Sequence, residues 1–224
     1  MAPPSKQPMA GLPSLLVFGP QTNLPSYEVL AELRQDLIDN PQMNGLLKAI
    51  RDLPNFWQTV TGFDPTLSQI QGTEHLGDLL QWIDNGVLPQ HLKSLPNISA
   101  LPLTVTMQVL LYIRYLNELQ IENPHQKVLQ HIQGGGIQGF CVGFLTALVV
   151  NCSENENDIA EVGATAIRLA VCVGAYVDQD SLLGDPPNQS SCIAVRWRTG
   201  FEETEVVEIM QSYCDVRRQS TQTT

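Results

Sequence analysis

Residues 139–143 read Gly-Phe-Cys-Val-Gly, a G-x-C-x-G motif that follows the glycine run Gly134–Gly136 and precedes the apolar stretch Phe144–Val150. The apolar residues among the glycines favour a strand, the glycines allow a sharp turn, and the apolar stretch predicts a helix. In such a strand–turn–helix elbow the central side chain projects from the top of a sheet. The motif therefore predicts an α/β fold with Cys141 exposed as the nucleophile of the elbow.

The surroundings of Cys141 suit attack on a carbonyl group. A cysteine at a helix N-terminus lies next to partial positive charge, which favours the reactive thiolate. The backbone N–H of the next residue, Val142, can stabilise the oxyanion that develops during the attack. The alternative interpretation is a packed strand-to-helix crossover, in which Gly139, Gly143 and a buried cysteine have no chemical role.

The composition excludes several classes of protein. Of the 224 residues, 43% are hydrophobic and 16% are charged, which supports a folded core and argues against a disordered chain. The length allows one large domain, or one domain plus part of another. The formal net charge of −11 argues against nucleic acid or an anionic membrane as a partner.

The cysteines and the apolar runs indicate a reduced, cytoplasmic protein. The five cysteines are widely spaced and include no C-x-x-C pair, so the sequence predicts neither a metal site nor a disulfide framework. Residues 1–13 lack the apolar core of a secretory signal, and their two proline clusters predict a flexible tail. The longest apolar run, Phe140–Val150, is shorter than the ~18 residues that a membrane-spanning helix requires.

Hydrophobic periodicity and the positions of proline and glycine predict one strand and several helices before the elbow. These elements are a strand at Ser14–Phe18, a helix after Pro25, helices at Pro41–Leu53 and Ser68–Asp84, a loop at Pro89–Pro102, and a helix after Pro102. Their predicted inward-facing residues are Val29, Leu30, Leu33, Leu37, Leu103, Met107, Leu110 and Leu111.

Two helices are predicted after the elbow, followed by a strand and a last helix. The second of the two helices is expected at about Asn157–Val177, with Ile159, Val162, Ala166, Leu169, Ala170 and Val173 on one face. The strand is Cys192–Arg198, where apolar and polar residues alternate, and the helix is Glu202–Val216. Residues 217–224 are a polar tail.

With the elbow placed, the chain resembles the starter-unit acyl-carrier-protein transacylase domain at the N-terminus of fungal non-reducing polyketide synthases. Residues 16–22 (Leu-Val-Phe-Gly-Pro-Gln-Thr) are similar to the family's opening F-G-x-Q-T, and residues 139–143 match its G-x-C-x-G. The resemblance covers nearly the whole chain. It implies a helix-rich, α/β-hydrolase-like acyltransferase subdomain at 14–188 and the first βα unit of an incomplete ferredoxin-like small subdomain at 189–216.

The resemblance also implies a mechanism. Cys141 would take an acyl group from a thioester of coenzyme A or phosphopantetheine and pass it to an acyl carrier protein, with no bound cofactor. The backbone N–H groups of Gln21 and Val142 would form the oxyanion hole. Malonyl-selective relatives carry an arginine on the second helix after the nucleophile. The corresponding stretch, Leu169–Gly174, has none and Arg168 lies about a turn away, which implies an apolar, uncharged acyl group.

The family's general base is a histidine beyond the small subdomain, and this sequence has no matching segment. The chain is therefore expected to be a fragment of a longer synthase or a truncated gene product, and the general base stays unassigned. His131 is predicted at the start of the elbow strand, too far from Cys141 to act on it, and His125 in a loop. His75 and His91 are predicted to be surface residues of the helical middle, and His75 stays the least implausible candidate for the base because its position relative to the sheet is not predicted.

Three functions fit the sequence at this point. The first is a transacylase that acts within a longer polypeptide or with a partner that supplies the base. The second is a catalytically silent remnant that docks in a synthase assembly. The third is a thioester hydrolase that uses the same elbow. The sequence also predicts an open sheet edge at Cys192–Arg198, because no further strand follows it.

Overall fold

The computed structural model describes residues 12–20, 25–70, 73–87 and 95–180. The strands are β1 (Leu16–Phe18) and β2 (Ile137–Gly139). The α-helices are α1 (Tyr27–Asp39), α2 (Asn44–Arg51), α3 (Leu53–Phe63), α4 (Leu76–Asn85), α5 (Asn97–Leu119), α6 (Pro124–His131), α7 (Gly143–Cys152) and α8 (Glu156–Asp180). Short 3₁₀ helices cover Pro41–Met43, Pro65–Gln69, Thr73–His75 and Ile132–Gly134.

The two described strands form a small parallel sheet that brings together the chain before α1 and the chain after α6. Leu16 pairs with Ile137 and Phe18 with Gly139. The N–H of Phe140 donates to the carbonyl of Phe18 at 2.9 Å and closes the ladder. Because parallel strands end at the same sheet edge, Gly19, directly after β1, lies beside the turn after β2. A helix-rich fold around a parallel sheet agrees with the predicted α/β class.

Helices α5 and α8 pack against each other as the central pair of the core. A side chain at Gly174 of α8 would overlap the backbone of Asn97, so glycine permits this close approach. The Asp178 carboxylate of α8 accepts hydrogen bonds from the N–H groups of Asn97 at 3.1 Å and Ile98 at 2.8 Å. These bonds satisfy orphan donors in the first turn of α5, so α8 helps to fix where α5 begins.

Several predicted elements are confirmed. Strand β1 lies within the predicted Ser14–Phe18 and stops before Gly19. Helix α1 buries Leu30, Leu33 and Leu37 completely. Helix α4 ends at the predicted Asn85-Gly86, where Gly86 has a φ of +71°. That left-handed conformation carries no steric penalty at glycine, which is why it ends helices so often.

Other predicted boundaries are wrong. The predicted loop at Pro89–Pro102 gives way to α5 from Asn97, with Pro102 inside the helix. The helix predicted at Ser68–Asp84 starts only at Leu76, and its first part is 3₁₀ helix and non-helical chain. The helix predicted at Pro41–Leu53 is a 3₁₀ turn and α2, after which α3 follows unpredicted. Helix α6 was also not predicted.

Periodicity also misassigned some helix faces. Leu111 of α5 is 42% exposed, whereas Leu103, Met107 and Leu110 are buried as predicted. On α8, Leu169 and Val173 are exposed although both were predicted to face inward. Both helices are apolar around most of their circumference, so spacing alone does not select the buried face.

Some predictions fall outside the described residues. The chain divides into the units Met1–Asp185 and Pro186–Thr224. The second unit is not described, so the small subdomain at 189–216, the strand Cys192–Arg198, and the tail at 217–224 stay predictions. The same holds for most of the tail at 1–13.

Two described helices, α5 and α8, are long and apolar enough to cross a membrane by length and composition. The length of the longest uninterrupted apolar run did not predict these two helices, because scattered polar residues interrupt the apolar sequence of both. In α5, 78% of the most apolar window is buried inside the fold, and in α8 the figure is 56%. Core helices of soluble proteins pass the same test.

Candidate functional site

The turn between β2 and α7 holds Cys141 in a conformation that few side chains adopt. Cys141 has a φ of +54°, and its side chain is exposed. Helix α7 begins two residues later, at Gly143. A non-glycine residue at positive φ between a strand and a helix is the backbone geometry of a nucleophile elbow. The thiol therefore lies at the tip of the turn, beside the first turn of α7.

Close backbone contacts explain both glycines of the motif. A side chain at Gly143 would overlap the carbonyl oxygens of Phe18 and Gly19, at the end of β1. A side chain at Gly139 would overlap the backbone of Phe144 in the first turn of α7. Both positions place backbone against backbone, where little can move to accept a Cβ atom. The glycines therefore let β1, β2 and α7 converge on the elbow.

One of the two expected oxyanion donors lies within the described structure. The Val142 side chain is buried, and its N–H has no hydrogen-bond acceptor among the described residues. The next N–H groups are used inside the turn, since Gly143 donates to Phe140 and Phe144 donates to Cys141. Gln21, the second expected donor, lies outside the described residues.

An apolar cleft of about 550 Å³ lies along β2 and the first turns of α7. Phe140 and Phe144, which flank the elbow in sequence, are 57% and 56% exposed there. The residues lining the cleft carry no charged side chain: Ile137, Gln138, Gly139, Phe140, Phe144, Ala147, Leu148 and Asn151. The described lining of this cleft, which includes the residue before Cys141, is therefore uncharged, although the whole chain is strongly acidic.

Sequence reasoning missed a polar residue that connects the elements of the elbow. Gln108 of α5 donates from Nε2 to the carbonyl of Gly19 at 2.7 Å. Its Oε1 accepts a hydrogen bond from the hydroxyl of Thr146, on α7, at 2.7 Å. The only signal in the sequence was a single glutamine in an apolar helix, which does not show what it contacts.

The described histidines have other partners. His125 is buried at the start of α6, and not in a loop as predicted. Its Nε2 donates to the carbonyl of Ser153 at 3.0 Å, so its Nδ1 accepts from the Tyr112 hydroxyl at 2.8 Å. Burial raises the pKa of Tyr112 well above its usual range, which keeps the phenol protonated as this donor. His125 is thus part of a satisfied buried network.

The other histidines give no assigned base. His131 ends α6 and contacts the carbonyl of Pro13 at 2.8 Å, so its predicted place on the elbow strand is wrong. The strand begins only at Ile137, after a 3₁₀ turn. His75 is half-exposed and contacts the Asp78 carboxylate through Nδ1 at 2.5 Å. His91 lies outside the described residues.

Brief treatment with iodoacetamide should label Cys141 faster than Cys152 or Cys172. Cys141 and Cys152 are both exposed but lie at opposite ends of α7, and the helix dipole favours an anion only at the start. Burial raises the pKa of the Cys172 thiol, which lowers its reactive thiolate fraction. Peptide mapping would measure the order, and labelling of Cys152 before Cys141 would contradict it.

Comparison with known proteins places the elbow in a family. Residues 16–222 match the family described as starter unit:ACP transacylase in aflatoxin biosynthesis. The chain is 39% identical to 5-methylorsellinic acid synthase of Aspergillus terreus over 204 residues, which cover 90% of this chain and 8% of that protein. It is 38% identical to the non-reducing polyketide synthase esdpA of Penicillium shearii, with 90% and 9% covered.

A third relative, methylphloroacetophenone synthase of Cladonia uncialis, is 34% identical over 91% of this chain and 8% of its own length. The chain thus spans less than a tenth of these relatives. The match begins at β1, includes the G-x-C-x-G elbow, and extends past the described residues. The chain belongs to the starter unit:ACP transacylase family, as its resemblance to the first domain of fungal non-reducing polyketide synthases predicted.

Proposed function

We propose that this chain transfers a starter acyl group from a thioester to an acyl carrier protein through an S-acyl intermediate on Cys141. The observation that carries the proposal is the elbow itself. An exposed thiol is held at positive φ directly before a helix, in a chain of a transacylase family. A purely structural crossover has no need for a cysteine in a conformation that glycine adopts without cost.

The transfer occurs in two balanced steps. In the first, the Cys141 thiolate attacks the thioester carbonyl, a new C–S bond forms, and the donor leaves as a thiolate that takes up a proton from water. In the second, the phosphopantetheine thiol of the carrier protein loses its proton to water and attacks the S-acyl carbonyl. A new C–S bond forms, the C–S bond to Cys141 breaks, and the Cys141 thiolate is released. Dividing the transfer in this way gives ping-pong kinetics.

Backbone donors would stabilise the tetrahedral intermediate of each step. The Val142 N–H lies one residue after the nucleophile and has no other acceptor among the described residues. We assign the second donor to the Gln21 N–H, on the loop that begins beside Gly143 at the end of β1. Two such donors act in a site where they need not reorganise during the reaction.

The surroundings of the elbow support an uncharged acyl group. The exposed side chains near Cys141 include Phe140 and Phe144, and among its described lining residues the cleft beside them has no cation to pair with a free carboxylate. An acyl chain with a terminal carboxylate would be desolvated there without a partner, which is unfavourable. We therefore expect saturated acyl donors to react before malonyl donors.

The test is incubation with butyryl-CoA or malonyl-CoA, followed by intact-mass measurement and peptide mapping. The proposal requires a butyryl adduct on Cys141 that disappears when a carrier protein with its phosphopantetheine arm is added. A chain that never forms an adduct would favour a docking module instead. Release of butyrate without a carrier protein would favour a thioester hydrolase.

A further inference from the structure

Gln108 joins the two chain segments that meet at the elbow. Its Nε2 donates a hydrogen bond to the carbonyl of Gly19, which follows β1. The Oε1 of the same amide accepts from the hydroxyl of Thr146, one turn into the elbow helix α7. Gln108 is half-buried and Thr146 is fully buried, so water competes little for these bonds.

The Gly19 carbonyl determines which way the Gln108 amide points, because a carbonyl oxygen only accepts and must face the NH₂ group. A threonine hydroxyl that donates to the amide oxygen leaves the NH₂ group for the carbonyl of Gly19. If the amide of Gln108 were turned over, its Oε1 would face the carbonyl oxygen of Gly19, and two acceptors would lie against each other without a hydrogen bond. The amide of Gln108 is therefore a directional link between α7 and the loop.

The backbone of Gly143 packs against the carbonyl of Gly19, but the Cα side of Gly19 is open. Nothing lies within 4 Å of a Cβ atom built at Gly19, so its backbone is not confined by packing on that side. The next residue is Pro20, whose nitrogen has no hydrogen to donate. Among the described residues, the carbonyl of Gly19 therefore has two contacts with the elbow region: close packing against the backbone of Gly143 and the directional hydrogen bond from Gln108.

We propose that Gln108 is a positioning residue for acyl transfer, which rests on the proposed function of Cys141. It holds the start of the loop after β1 at a fixed place relative to the elbow helix that carries the Val142 N–H. The Val142 N–H is then held at a fixed distance from the end of β1 while the oxyanion forms. In this role Gln108 acts through Gly19 and Thr146 and does not itself contact the reacting atoms.

The test compares two reactions of Cys141 in the substitution Gln108→Met, which keeps the side-chain length and removes both bonds. Thioester acylation needs the oxyanion donors, whereas alkylation by iodoacetamide passes through no oxyanion. Removal of one such donor costs about 10²–10³-fold, so a displaced donor should slow acylation by butyryl-CoA about 10-fold. Alkylation should stay within about two-fold of the unsubstituted chain.

Gln126→Met is the matched control, because Gln126 is exposed on α6 and makes only a 3.4 Å contact with the carbonyl of Glu154. It should change neither rate. Equal slowing of both reactions in Gln108→Met, or no change in either, would overturn the positioning role. The first result would mean that Gln108 only supports the fold.

The proposed function can fail separately, as an unsubstituted chain that alkylates at Cys141 but is never acylated. Hydrogen exchange of the peptide spanning residues 14–20 then decides the role of Gln108. Faster exchange in Gln108→Met but not in Gln126→Met would support the link to the loop. Unchanged exchange in both variants would overturn it.

Discussion

Replacing Cys141 by serine is expected to lower acylation from butyryl-CoA by at least about 100-fold, although only one atom changes. A thiol is partly ionised near neutral pH and attacks without help, whereas a hydroxyl needs a positioned base. General-base assistance is typically worth ~10²–10⁴-fold, and no described histidine is assigned that role. Intact-mass measurement of adduct formation over time gives both rates.

Cys152→Ser is the matched control for this prediction. Cys152 is also exposed and lies on the same helix, at the end opposite the elbow. The adduct should form on Cys141 at an unchanged rate in this variant. If Cys141→Ser were acylated as fast as the unsubstituted chain, a base would already act on position 141, and the expectation that serine fails for lack of a base would be wrong.

Gly143→Ala is expected to destabilise the fold by roughly 3 kcal/mol, at the upper end of the usual cost of overpacking. The added methyl group would overlap the carbonyl oxygens of Phe18 and Gly19, both of which belong to the backbone. To accept it, β1 would have to move away from α7 and strain its pairing with β2. The variant should lose acylation as well, because the loop after β1 moves with the strand. Chemical denaturation gives the change in the free energy of unfolding.

Gly62→Ala provides the opposite expectation in the same assay. Gly62 is exposed in the last turn of α3, and nothing lies within 4 Å of a Cβ atom built there. Alanine in a helix is more favourable than glycine by about 0.5–1 kcal/mol, so this variant should be slightly more stable. Similar effects of Gly143→Ala and Gly62→Ala would show that the close approach at Gly143 does not matter.

The elbow was predictable because its signal is local. Two glycines around Cys141, an apolar stretch after them and a short apolar strand near Gly19 are all read directly from neighbouring residues. The same holds for α1 and for the end of α4 at Gly86. In each case the conformation of the element follows mainly from the residues within it, and not from contacts with distant parts of the chain.

Long-range contacts explain what the sequence did not reveal. The start of α5 depends on the Asp178 carboxylate, which bonds to Asn97 from 81 residues further along the chain. The proline spacing before Pro102 therefore predicted a loop that burial and this contact override. The buried state of His125 likewise depends on Tyr112 and Ser153, which come from two other parts of the fold. The role of Gln108 could not be predicted for the same reason, because its partners Gly19 and Thr146 are distant in sequence.

At position 141, the residue that is best for stability differs from the residue that is best for reactivity. With a φ of +54°, residue 141 occupies a region that costs a side-chain-bearing residue about 1–2 kcal/mol and costs glycine nothing. A directed-evolution screen that rewards heat resistance alone should therefore enrich glycine at 141. The difference in free energy of unfolding between Cys141→Gly and the unsubstituted chain would measure how much stability the chain gives up to keep its thiol.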